Sequence, residues 1–327
     1  MPRPAPTRTA ASFLPALAAT ALLLTACGTE RAGAGTTEPP ARTQVDDPGE
    51  DGVRITSLTL PPASPSPTRS YLVSAESLAT DSGVVASYEV TNEGAESMTY
   101  SVVLTFMSGD GGAVTNRTAT VRDVAPGKTV RGTVRAGVLP PTAPRVTQVE
   151  VLEVAKVPAS EAAAEPGVCP ASGIRVSADK GDAAMGLRVV GLHLDNCGTR
   201  DYTVEGYPLL ELLDDGLRPV DGVEILDGSR EITTGAGADE QPRPVTLRPG
   251  ESATAGLVWR NTTESGTPVN VPYVRIRAKA GADPVTVAPD LDLGTTGKLG
   301  VRPWEKAERR ADPAKPPAEG RPADGFR

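Results

Sequence analysis

His193 is the only histidine in the 327 residues. One imidazole rules out a multi-histidine metal site and leaves at most one such side chain for acid–base work. Cys197 lies four residues on, but in an extended strand that spacing covers roughly 13 Å, too far for a shared ligand. Ser177-Ala178-Asp179-Lys180 has the Ser-x-x-Lys spacing. On a helix that spacing lets a lysine amine assist a serine nucleophile. Here it falls in a polar, glycine-containing loop without its partner motifs. Gly127-Lys128-Thr129 matches the end of a phosphate-binding loop, but Arg122 occupies the place of the required first glycine. Asp290 and Asp292 put two carboxylates on one side of an extended segment, fewer oxygens than a calcium loop supplies. No catalytic residue, metal ligand or cofactor site is assigned, and the chain is read as a non-enzyme.

A pair of acids for glycoside hydrolysis can be assembled by any fold. Sugar sites, however, stack rings on aromatic side chains, and only 3% of this chain is aromatic. Tyr202, Tyr207 and Tyr273 are the candidate ligand-surface residues, expected in exposed loops. The formal net charge is −8. An acidic, aromatic-poor exterior argues against nucleic acid and anionic headgroups as partners.

The chemistry with the firmest spacing is at Leu24-Thr25-Ala26-Cys27. Arg3 and Arg8 precede an apolar run from Phe13 to Leu24, too short and too interrupted to span a bilayer. Small residues then lead into Cys27. This is the pattern of a bacterial lipobox, in which the cysteine becomes the lipidated first residue of the mature chain. Two acyl chains on Cys27 give stable anchoring to a membrane. The expected location is the outer face of the cytoplasmic membrane. An ordinary signal peptide cut near Ala26 is the alternative. Of three cysteines, Cys169 and Cys197 then remain. An even pair in an exported chain reads as a disulfide, worth roughly 3–4 kcal/mol by chain entropy. Two free buried thiols are the alternative.

These residues need scaffolds to hold them. Residues 1–26 are the leader. Residues 27–67 are Gly, Pro, Ser, Thr and acids, a disordered tether that buries too little to offset its ordering entropy. Within it, residues 53–60 form an apolar island that could dock as a strand on the first domain. Residues 68–157 alternate with period two: Val84, Ala86, Tyr88 and Val90, then Tyr100, Val102, Leu104 and Phe106, then Val130, Gly132 and Val134, then Val149 and Val151. Gly-, Asn- and Pro-containing turns separate them, the pattern of a small β-sandwich. Residues 158–167 read as a hinge. A second β-sandwich covers 168–304, with strands expected at 187–196, 209–213, 223–226, 245–247, 253–259, 273–278 and 285–288. His193 faces away from Val190, Leu192 and Leu194, and Trp259 is placed in the core. Residues 305–327 read as a disordered tail.

The two units echo each other. A strand ends in Asn92-Glu93-Gly94 in the first and in Asn196-Cys197-Gly198 in the second. Later turns read Val124-Ala125-Pro126-Gly127 and Leu247-Arg248-Pro249-Gly250. Related topologies with an insertion near residues 227–241 would explain this; chance recurrence of common turns is the alternative.

Residues 169–304 also carry a family likeness. Cys169-Pro170-Ala171-Ser172-Gly173, Asn196-Cys197-Gly198-Thr199, Gly206-Tyr207-Pro208 and Leu247-Arg248-Pro249-Gly250-Glu251-Ser252-Ala253 are the matching pieces, with the strand reaching Trp259. Together they resemble a domain of unknown function found in secreted and lipid-anchored actinobacterial proteins. Many members place the second cysteine just before Gly-Tyr-Pro, where Tyr202 stands nearby here. The resemblance implies an immunoglobulin-like β-sandwich, export and no assigned activity. Residues 70–157 are more faintly similar to FxLYD-like surface domains, with Met107-Ser108 in place of the family's Tyr-Asp.

The fold class expected is all-β, two immunoglobulin-like β-sandwich domains in tandem. The role expected is a non-catalytic binding or scaffolding module, its partner an envelope protein or cell-wall component. Loops at 201–208 and 227–241 would carry specificity. An envelope enzyme with an unseen site and a passive spacer are the other readings.

Overall fold

The computed structural model describes residues 41–45, 47–62, 81–140, 142–233 and 241–307. The leader, Cys27, most of the tether and the tail from 308 lie outside the described residues. Within them the chain is all-β: it forms strands and one short 3-10 turn, and no α-helix.

The first unit has seven strands: β1 (Ala41–Gln44), β2 (Val53–Leu60), β3 (Val85–Thr91), β4 (Met98–Ser108), β5 (Ala113–Val124), β6 (Thr129–Arg135) and β7 (Val146–Pro158). They make two sheets, ordered β1-β2-β3-β6 and β5-β4-β7. Alternation places the core. Ala86, Tyr88 and Val90 from one sheet meet Tyr100, Val102, Leu104 and Phe106 from the other in one apolar cluster. Gly132 lies opposite Tyr88 in the ladder, and a Cβ there would run into the tyrosine ring. Val130 departs from expectation at 38% exposure. It sits on β6, an outer strand of its sheet with no buried residue.

Two boundaries move. Residues 41–62, assigned by composition to a disordered tether, supply β1 and β2. Val53, Ile55 and Leu58 are at most 3% exposed, so the island at 53–60 is an integral strand. Proline and glycine around it diluted an apolar signal confined to eight residues. Residues 305–307, expected in the tail, belong to the second unit: the last strand runs to Lys306, and the Ala307 amide donates to the Ser252 carbonyl.

The second unit begins with β8 (Ile174–Ala178), β9 (Asp182–Ala184), β10 (Leu187–Asn196), β11 (Tyr202–Val204), β12 (Leu209–Leu213), β13 (Glu224–Asp227) and β14 (Val245–Leu247). It continues with β15 (Ser252–Arg260), β16 (Asn270–Val271), β17 (Tyr273–Arg277), β18 (Val285–Val287), β19 (Leu291–Asp292) and β20 (Lys298–Lys306). One sheet runs β13-β20-β15-β10-β8, and β12-β17-β18 faces it across a second apolar cluster. The sequence reading missed β20. Pro303 interrupts its pattern, since proline gives no ladder N–H. The strand tolerates it because β13 pairs only as far as Val301 and the β15 ladder shifts register beside it.

The two units share a plan. β2-β3-β6 and β8-β10-β15 are laid out in the same order, and a strand opens six residues after each turn asparagine, β4 at Met98 and β11 at Tyr202. In the second unit β13 leaves this plan and crosses to pair in parallel with β20. The departure therefore already includes β13 from Glu224, ahead of the expected residue 227. Residues 234–240 of it lie outside the described residues.

Candidate functional site

The described residues belong to one compact unit of the chain. A set of side chains ties its two β units together, and residues 158–167, expected to hinge, are held from both sides. Ala159–Glu161 form a 3-10 turn after β7. Glu161 Oε2 accepts from Arg275 Nε at 2.8 Å and from the Thr286 hydroxyl at 2.6 Å. Arg275 Nη1 also donates to Glu211 at 2.7 Å. Those two carboxylates, Glu161 first, hold the guanidinium pKa above its ordinary value. From the other side Arg122 of β5 donates to Glu165 and to the Ala163 carbonyl, both at 2.9 Å. Leu217, at the tip of the turn after β12, packs against the first unit's core.

Tyr273 belongs to this junction. It was expected in an exposed loop, yet it opens β17 at 5% exposure. Its oxygen accepts the Lys156 amide of β7 at 3.1 Å. Burial pushes its pKa up. Period-two patterning could not reveal this, because the partner lies 117 residues away in the chain.

Tyr202 and Tyr207 are half-buried and pack on the second core. The Lys279 ammonium lies 4.0 Å from the centre of the Tyr202 ring and donates to the Thr203 carbonyl at 2.7 Å. Burial raises the Tyr202 pKa. Tyr202 forms one wall of a hollow of about 320 Å³, with Ile174, Arg175, Ala278 and Val285 around it. The disulfide stands next to it. Cys169 and Cys197 are bonded, their Cα atoms 5.7 Å apart, and join the start of the unit to the turn after β10.

The remaining motif residues are placed by hydrogen bonds. His193 lies on the half-exposed face of β10, with Nε2 3.5 Å from Asp179. Asp179 accepts from the Gly181 and Gly191 amides. Ser177 is in β8, an extended strand, so it does not share a helical face with Lys180. Asp292 accepts from the Trp259 indole at 2.9 Å and from Asn261 at 3.0 Å. Its carboxylate thus closes over the buried Trp259, which is 3% exposed. No cluster of three or more His, Cys, Asp or Glu suited to a metal occurs among the described residues.

One hollow that the sequence did not point to is in the first unit. It holds about 500 Å³ between β2 and β7 and is lined by Val45, Ile55, Leu58, Leu60, Val149 and Val151. The residues that make it were split between the assigned tether and the assigned sandwich.

A search of curated proteins gives no match. Residues 169–305 match the family model described as a domain of unknown function, DUF4232.

Proposed function

We propose that this chain is a membrane-anchored, extracytoplasmic lipoprotein, held through Cys27 at the outer face of the cytoplasmic membrane. Its two units are immunoglobulin-like sandwiches in tandem, and its work is non-catalytic binding or scaffolding of an envelope protein or wall component. The leader ending in Leu24-Thr25-Ala26-Cys27 supports the anchor. The observation that carries the binding role is the clamp around Glu161, with Arg275 and Thr286 on one carboxylate oxygen. It fixes the hollows and loops of both units in one frame, and pre-organised surfaces spend less of their binding energy on ordering.

The test is co-purification from solubilised envelope and from wall fragments, using the full oxidised chain. A Cys169→Ser/Cys197→Ser variant serves as the control. The expected result is a discrete partner kept by the parent and lost by the control. A folded parent that keeps nothing would move the role to a passive spacer. A Cys27→Ser variant should leave the membrane fraction; if it stays, the anchor is not at Cys27.

A further inference from the structure

β7 ends its sheet. The order β5-β4-β7 leaves the outer edge of β7 without a strand partner among the described residues. At its far end the Lys156 amide donates to Tyr273, and the second unit covers that stretch. Nearer its start the edge borders the 500 Å³ groove, where Thr147, Gln148, Val149, Glu150 and Val151 line the wall facing β2. An unpaired edge is a template for another strand, and proteins usually blunt it with lysine or proline. From Val146 to Ala155 β7 has neither. Its register shifts sit on either side of residues 148–151, so a regular four-residue stretch lies between them.

The groove also has a charge character. Its lining includes Asp47, Glu50 and Glu150 and no lysine or arginine. Its floor is aliphatic, from Ile55, Leu58 and Leu60. A strand added here would alternate its side chains, one set entering the groove and the other pointing outward.

We propose that the open edge of β7 over residues 148–151, with the groove beside it, binds an extended peptide of a partner protein that alternates apolar and basic side chains. The peptide adds a strand to the β5-β4-β7 sheet. Its apolar residues enter the groove against Leu58 and Val149, and its basic residues meet Glu50 and Glu150. This deepens the binding role proposed above and rests on it.

The probe is a synthetic capped heptapeptide alternating lysine and valine, added to the full oxidised chain. Amide hydrogen exchange and affinity are read together. Bound peptide should slow exchange at those amides of residues 148–151 that face away from β4, roughly tenfold at ten times the dissociation constant. Glu150 is exposed, so Glu150→Lys should fold and weaken binding roughly tenfold, with the parent's affinity falling as salt rises. A peptide with glutamate for lysine, and one with proline at its centre, should not bind. Equal affinity for Glu150→Lys, or protection elsewhere on the chain, would overturn the site. So would protection, before peptide is added, of the β7 amides that face away from β4: independent of concentration, this means the chain covers the edge itself, and concentration-dependent, a second copy does. An envelope partner retained equally by the parent and by Glu150→Lys would keep the binding role and remove this site.

Discussion

Asn92 and Asn196 stand in the same hydrogen-bond cage, one in each unit. Asn92 Nδ2 donates to the carbonyls of Glu96 and Val124, both at 2.7 Å. Asn196 Nδ2 donates to those of Arg200 and Leu247, both at 2.8 Å. Each side-chain oxygen accepts the amide two residues on, from Gly94 and Gly198. Each main-chain carbonyl accepts at 2.7 Å from the glycine of the Pro-Gly turn, Gly127 and Gly250. The recurrence noticed in sequence is thus one structural device used twice: a buried amide that locks the end of a strand onto a later turn.

Removing either cage should hurt its own unit. Both asparagines are 1% exposed, so alanine leaves buried carbonyls without donors. Each unmet group costs about 1–3 kcal/mol. Asn92→Ala and Asn196→Ala should each lower stability by about 2–4 kcal/mol in chemical denaturation. Aspartate should be worse than alanine at both, since it points a charged acceptor at two carbonyl oxygens. If aspartate is tolerated, the cage is not what holds these turns.

How far the sequence reached follows from what kind of signal each feature leaves. β10, β12 and β14 were placed to the residue because alternation and turn chemistry are local. The pairing of Cys169 with Cys197 followed from counting. β20 was lost to Pro303 and β1 to the composition around it, while the island at 53–60 marked β2 inside a stretch otherwise assigned to the tether. The junction left no local trace, since Glu161 and Arg275 are 114 residues apart and each looks like an ordinary surface charge. Tyr273 was misjudged for the same reason: its partner belongs to the other unit.

The clamp at Glu161 predicts a measurable stiffness. The Glu161 and Arg275 side chains are only 17% and 20% exposed, so their bond is better shielded than a surface ion pair. Glu161→Ala removes acceptors for Arg275 and Thr286 together. A loss of about 1–3 kcal/mol is expected, as for hydrogen bonds to a charged group. Limited proteolysis should then cut within residues 158–167 at least several-fold faster, with both units still folded by near-ultraviolet dichroism. Unchanged cutting would mean that packing at Leu217 and Tyr273 suffices without the ion pair.

The disulfide closes 28 residues of sequence separation, including β8, β9 and the whole of β10 before its turn. Both cysteines are exposed, so reductant reaches the bond in the folded chain. Loop entropy puts its contribution at roughly 3–4 kcal/mol. Reduction should lower the second unit's denaturation midpoint and leave the first unit's transition in place. A single transition shifted as a whole would show that the two units unfold together.

Acid should weaken the second unit through Asp195. Burial opposes ionisation there, but the Ser252 hydroxyl and the Arg175 guanidinium outweigh it and hold the pKa below the ordinary value. Ser252 donates at 2.6 Å, and Arg175 donates twice to the other oxygen, at 3.0 and 2.7 Å. A carboxyl depressed in the folded state stabilises it above the unfolded value, near 3.9, and that contribution fades as pH falls through the lower folded value. Asp195→Asn should therefore be less stable than the parent at neutral pH. The gap should narrow once pH drops below about 4 and close when the parent's carboxyl is protonated. Other lowered carboxyls, such as Glu251 and Asp214, titrate in both chains and cancel in the difference. Urea titrations at stepped pH read the gap directly. A gap that stays constant down to the acid limit would assign Asp195 a steric role in place of an electrostatic one.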